Sequence, residues 1–139
     1  MMKKFHLRVL AADRPFFDGE CVSLRVQLSD GQYGVLADHS PTVAALVPGV
    51  MKFSLPDETT ETVYASEGIL KIENNDVLVL ATTVERPEEI DETRALRSAE
   101  AAREELLRKL TAQEYKEAEA RLSRAIGRLK AKGRSLDMN

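Results

Sequence analysis

The character of the chain changes at Arg86-Pro87, and that boundary constrains the fold more than any other feature. Before it, apolar residues recur at every second position. After it they recur at every third and fourth, and no glycine appears until Gly127. A period of two belongs to strands that bury one face, and a period of 3.6 to helices. The 139 residues therefore read as a β part over 1–86 and a helical part over 87–139. The expected fold class is α+β in two parts: an N-terminal antiparallel β-sandwich or barrel, followed by a C-terminal antiparallel α-helical hairpin.

In the first part, Val22, Leu24, Val26 and Leu28 alternate with Ser23, Arg25, Gln27 and Ser29, which is the pattern of a half-buried strand. Val63 to Ile72 reads the same way, and Val77 to Ala81 reads as a strand covered on both faces. Turn signals punctuate the runs at Asp18-Gly19, Ser29-Asp30-Gly31, Pro48-Gly49, Pro56-Asp57 and Asn74-Asn75-Asp76. That spacing predicts eight to ten short strands.

In the second part, a helix is expected over 91–109, with Asp91 as N-cap and a stripe of Leu96, Ala99, Ala102, Leu106 and Leu110. Thr111-Ala112-Gln113-Glu114 has the form of a capping box and starts a second helix. Its stripe is Tyr115, Ala118, Leu122, Ala125 and Leu129, widened by Ile126. Alanine dominates both stripes, so the helices approach closely yet bury little apolar area. Each leucine-to-alanine exchange along such a seam forgoes about 1 kcal/mol or more. A hairpin this light needs a partner, a ligand or the β part to stay closed.

Composition narrows the function. The net charge of -3 argues against a general nucleic-acid binder, although Arg121, Arg124, Arg128, Lys130, Lys132 and Arg134 make the end of the chain locally basic. No apolar run approaches the roughly 20 residues of a membrane-spanning helix, and Met1 to His6 do not form a secretory leader. Cys21, the single cysteine, reads as a small apolar residue in a strand and fits a reducing compartment. With His6 and His39 it forms no diagnostic nucleophile-and-base arrangement, and no cluster has metal-ligand spacing. No catalytic or metal site is expected.

The order of the parts and three motifs together resemble the epsilon subunit of bacterial F-type ATP synthases. Ser29 to Pro41 is similar to that family's glycine-glycine-histidine-proline turn, Leu46-Val47-Pro48-Gly49-Val50 to its Leu-x-x-Gly, and Gly68-Ile69-Leu70 to a glycine-led strand. Ile90-Asp91-Glu92-Thr93-Arg94-Ala95 matches its signature at the start of the first helix. The resemblance implies a non-catalytic rotor-stalk subunit of a proton-translocating synthase. Its β part would pack on the shaft subunit gamma and the polar loops of the c-ring, through a loop containing Gly31, Gln32, Gly34, His39 and Pro41. Gln32 stands where the family often has an acid. The protein would be peripheral, on the cytoplasmic face of a bacterial plasma membrane.

The resemblance also implies a regulatory ligand, ATP, with no cofactor required. Members that bind ATP carry Ile-Asp-x-x-Arg-Ala and two arginines one turn apart on the second helix; here these are Ile90, Asp91, Arg94, Ala95, Arg124 and Arg128, with Glu85 preceding them. Arg94, Arg124 and Arg128 would neutralise phosphates, Asp91 and Glu85 would accept hydrogen bonds from base or ribose, and Ile90 and Ala95 would pack on adenine. Spacing alone leaves Arg124 and Arg128 equally readable as a solvated basic face. No Walker loop is present, so hydrolysis is not expected. With ATP scarce, the second helix would extend along gamma toward the alpha and beta catalytic subunits and impede hydrolysis.

Overall fold

A computed structural model describes residues 2–133. Arg134, and with it the last six residues of the expected hairpin segment, lie outside the described residues. Ten strands come first: β1 (Phe5–Ala11), β2 (Pro15–Cys21), β3 (Ser23–Leu28), β4 (Gly31–Val35), β5 (Thr42–Leu46), β6 (Gly49–Ser54), β7 (Thr60–Ala65), β8 (Gly68–Glu73), β9 (Asp76–Ala81) and β10 (Val84–Glu85). A single 3-10 turn at Pro87–Glu89 leads into α1 (Glu92–Leu106) and α2 (Ala112–Ala131).

The strands form two five-stranded sheets, ordered β2-β1-β9-β8-β5 and β10-β7-β6-β3-β4. Neighbours are antiparallel except β1 beside β9, which run parallel. Between the sheets lies one core in which Leu7, Val9, Leu24, Phe53, Val63 and Leu70 are almost wholly buried. Cys21 belongs to it, and burial pushes its thiol up to about 11. That residue is packing, as its sequence context implies.

Three details of the sandwich differ from the sequence expectations. Val63 to Ile72 is two strands in different sheets, broken at Ser66-Glu67. The corner is fixed by buried Ser66, whose Oγ accepts from Thr83 N at 2.7 Å, and by Gly68, where a Cβ would fall 1.9 Å from the Leu80 carbonyl oxygen. Across the corner the core-facing positions change parity, from Val63 and Ala65 to Leu70 and Ile72. Asp18-Gly19 is no turn but lies within edge strand β2, paired with Arg8 and Leu7. The ring of Phe17 leans over the hydrogen face of Gly19, filling the space a side chain would take. Finally, β9 is covered on one face only: Val77 and Val79 are buried, whereas Leu80 is 42% exposed on the outer surface.

The hairpin forms at the caps read from sequence. Asp91 Oδ1 accepts from Arg94 N at 3.0 Å, and Thr111 and Glu114 exchange reciprocal 3.1 Å bonds. The Thr111 amide holds the Glu114 carboxyl below its usual range. α1 stops at Leu106, three residues short of the expectation, because Leu107 to Leu110 turn the chain. The seam is Ala95, Ala99, Ala125 and Leu129, with Leu96 and Leu122 at its margin, while Tyr115 is largely exposed.

α2 packs on β6 and β7. It does so at Gly127: a Cβ there would lie 2.9 Å from the Tyr64 ring and 3.2 Å from Gly49 N. Tyr64 is 0% exposed, on the face of β7 that would otherwise meet water, and it clusters with Ile90, Ala131 and Val50. Gly127→Ala raises helix propensity yet forces α2 off the sheet. The expected outcome is a loss of about 1–3 kcal/mol of hairpin docking. Amide exchange should read faster exchange in α2, with protection of β1 and β9 unchanged; a variant with α2 protected as in the parent would refute the close-packing account.

Candidate functional site

Where α2 meets the end of the sandwich, a cleft of about 370 Å3 opens between the linker, the start of α1 and the second half of α2. All seven residues singled out from sequence line it: Glu85 from β10, Ile90 and Asp91 from the linker, Arg94 and Ala95 from α1, and Arg124 and Arg128 from α2. They span 43 residues of sequence between Glu85 and Arg128 and are joined by a direct bond, Arg128 Nε donating to Glu85 Oε1 at 2.6 Å. The volume falls within the roughly 300–1,000 Å3 range of small-molecule sites.

The roles of these residues in the fold are unequal. Asp91 spends one carboxylate oxygen on capping α1. Ile90 and Ala95 are each 5% exposed, Ile90 packed against Tyr64 and Ala131, and Ala95 against the Ala125 and Leu129 seam. In this closed form they offer an adenine ring little apolar surface. Arg94 is exposed and makes no ion pair with another described residue.

Sequence reading missed four further lining residues: Glu89, Ser98, Arg121 and Ala125. Arg121 carried a signal, since it stands three residues before Arg124 and so faces the same way. In the structure it bonds Glu105 of α1 at 2.8 Å. Glu89 accepts from Arg86 N at 3.1 Å and pairs with Arg14 at 3.1 Å; the Arg86 amide, then Arg14, hold its carboxyl below the usual range. Four arginines and three carboxylates thus line the cleft, and the guanidinium groups are donors suited to an anion.

Arg128 also lies over the Tyr64 ring, 4.8 Å from its centroid. The Tyr64 hydroxyl is buried with no hydrogen-bond partner, and burial pushes its pKa up to about 12. Arg124 lies 3.7 Å from Glu67, at the corner between β7 and β8. Arg124 and Arg128 are therefore held by carboxylates of the sandwich, and Arg121 by one of α1.

The second predicted surface sits at the other motif. Gly31 has φ +135, which favours glycine, and begins β4; Gln32, Gly34 and Pro41 are exposed or nearly so. His39 Nδ1 donates to the Ser40 carbonyl at 2.8 Å, which leaves Nε2 to accept from the Tyr33 hydroxyl at 2.8 Å. Asp38, at φ +65, is bound by Lys3 and Asn75, and Lys3 and Asn75 together depress its carboxyl. His39 thus orders the loop between β4 and β5. This loop and the arginine cleft are separate surfaces.

Arg128 is the residue with most at stake. Arg128→Ala removes the bond to Glu85 and the cation–π contact with Tyr64, and should weaken docking of α2 by about 1–2 kcal/mol. Arg128→Lys keeps the charge but loses the planar fork, and should recover less than half of that. Amide exchange in residues 124–131 checks this; protection equal to the parent in Arg128→Ala would sink it.

Comparison with known proteins agrees with both parts. Residues 4–87 match the ATP synthase delta/epsilon chain beta-sandwich domain, and residues 88–133 the ATP synthase delta/epsilon chain long alpha-helix domain. An ATP synthase epsilon chain of Ruminiclostridium cellulolyticum is 41% identical over 133 residues, covering 96% of this chain and 98% of the relative. One from Caldanaerobacter subterraneus subsp. tengcongensis is 36% identical over 138 residues, covering 99% and 100%. Among solved structures, a chain of the Euglena gracilis mitochondrial ATP synthase (OSCP/F1/c-ring) superposes with a TM-score of 0.82 at 20% identity, covering 96% of this chain and 84% of that one. A chain of the Tetrahymena thermophila mitochondrial ATP synthase central stalk and c-ring does so at 0.65 and 14%, covering 94% and 98%. On two domain matches that together span residues 4–133, and on near-full-length identity to bacterial epsilon chains, this chain belongs to the ATP synthase delta/epsilon family as a bacterial-type epsilon subunit.

Proposed function

We propose that this chain is a non-catalytic subunit of the rotor stalk of a proton-translocating F-type ATP synthase, and that its hairpin senses ATP. The sandwich docks on gamma and on the polar loops of the c-ring through the Gly31 to Pro41 loop, at the cytoplasmic face of a bacterial plasma membrane. Among the described residues no helix is long and apolar enough to cross a membrane. Attachment through the complex is consistent with that.

The observation that carries the regulatory reading is the convergence of Arg94, Arg124 and Arg128 with Glu85 and Asp91 on one arginine-rich cleft between sandwich and hairpin. A polyphosphate there would bridge α1, α2 and β10. It would stabilise the closed hairpin by RT ln(1 + [L]/Kd), about 2.7 kcal/mol at a hundredfold excess over Kd. A seam built of Ala95, Ala99 and Ala125 suits an element that opens when ATP falls. The released α2 would then reach the alpha and beta catalytic subunits and impede ATP hydrolysis. Nothing in the cleft provides a Walker loop, and the isolated chain is expected to bind ATP without turning it over.

Calorimetric titration of the purified chain with ATP should give saturable binding that Arg124→Ala and Arg128→Ala weaken at least tenfold, the loss of a charge-assisted phosphate contact worth about 1.5–3 kcal/mol. Absence of binding at millimolar nucleotide would overturn the sensing role. Separately, a synthase whose epsilon chain ends after Pro87 should hydrolyse ATP faster than the intact complex. Equal rates would remove inhibition and leave the coupling role standing.

A further inference from the structure

Resting on the nucleotide reading above, we propose that Glu67 is an internal competitor for the ligand's phosphates: its carboxylate holds Arg124 in the unliganded chain and thereby sets the affinity for polyphosphates. Glu67 lies 57 residues before Arg124, outside every motif of the site, and reaches it only because the chain turns a corner between the two sheets. That corner is rigid. The Glu67 carbonyl accepts from Thr82 N at 3.1 Å and from Thr82 Oγ1 at 3.4 Å, and the following Gly68 is pressed against Leu80. The carboxylate is therefore presented from a fixed base.

The two carboxylate–arginine pairs between sandwich and α2 differ in a way that assigns them different roles. Arg128 and Glu85 are 2.6 Å apart with side chains 30% and 25% exposed, and the Tyr64 ring lies beneath the guanidinium. Arg124 and Glu67 are 3.7 Å apart, beyond hydrogen-bond distance, and 34% and 45% exposed. Arg128 is a fixed anchor of the fold. Arg124 is a loosely held arm, able to leave Glu67 for a phosphate oxygen.

A carboxylate and a phosphate compete for the same guanidinium N–H groups, so any anion engaging Arg124 must outcompete Glu67. The Tyr64 hydroxyl, fully buried and without a partner, lies within the influence of Glu67, Glu85, Arg124 and Arg128. The Arg124 and Glu67 side chains are themselves 34% and 45% exposed, so solvent screens the competition and keeps its effect modest. Glu67 also opposes an anionic ligand directly, by its own negative charge. Its effect should grow with the number of phosphates and vanish for a neutral nucleoside.

The test is calorimetric titration of the full chain and of Glu67→Gln with ATP, ADP and adenosine at fixed ionic strength, with Glu67→Ala as a second variant should the first fold poorly. The expected result is tighter binding of ATP to Glu67→Gln, by about twofold to fivefold, a smaller gain for ADP, and none for adenosine. Unchanged or weaker ATP binding overturns the proposal. An equal gain for adenosine also overturns it, because that pattern belongs to a general loosening of the fold. If neither parent nor variant binds ATP at millimolar concentration, the nucleotide reading itself falls and takes this one with it.

Discussion

The contact of α2 with the ring of Tyr64 supports everything the hairpin can do. A strand that faces a core on one side and water on the other would present a polar residue at position 64, but this chain places a tyrosine there and covers it. Burying that ring needs a helix that approaches without a side chain in the way, and Gly127 supplies it. Once the helix is seated, the residue after Gly127 is Arg128, whose guanidinium comes to rest over the same ring and within 2.6 Å of Glu85. A steric allowance at one glycine thus places the charge that organises the cleft. Within the helix interior, glycine costs about 1 kcal/mol relative to alanine, so packing against Tyr64 and Gly49 has to offset that cost.

Much of this was legible in the sequence because it is governed by short-range rules. Asp91, Thr111 and Glu114 cap helices through bonds that span three residues, and such bonds are visible in a line of text. A β part of eight to ten short strands follows from alternation and turns, both local. What was not legible depends on contacts across the fold. Val63 to Ile72 contains a corner that is set by Ser66 bonding Thr83 and Gly68 abutting Leu80, partners more than ten residues away. Asp18-Gly19 has turn chemistry, but cross-strand pairing with β1 outweighs it.

The candidate cleft divides the same way. Arg94, Arg124 and Arg128 were found because helical spacing and a family motif point at them. Arg121 was one step from being included, and Glu67 had no signal at all, since nothing in its neighbourhood marks it as facing α2. Ile90 and Ala95 show the converse: a motif names them, yet Ile90 is buried against Tyr64 and Ala131, and Ala95 in the seam between the two helices. A motif of this kind serves the fold of the closed state as well as any ligand of that state.

The two interfaces of the hairpin respond to salt to different degrees. The α1–α2 seam is alanine-rich, and close packing and the two N-caps act there beside one partly exposed ion pair, Arg121 with Glu105. Docking of α2 on the sandwich adds two arginine–carboxylate pairs that are about one-quarter to one-half exposed, and pairs of that kind weaken as ionic strength rises. Dissociation of α2 from β6 and β7 therefore need not coincide with separation of the two helices. Added salt favours a hairpin that leaves the sandwich intact, whereas loss of the Thr111 or Asp91 cap favours unravelling within the hairpin. Any separation of α2 from the sandwich has to break the contact of Arg128 with the Tyr64 ring and its bond to Glu85, so both contacts meet at that one guanidinium.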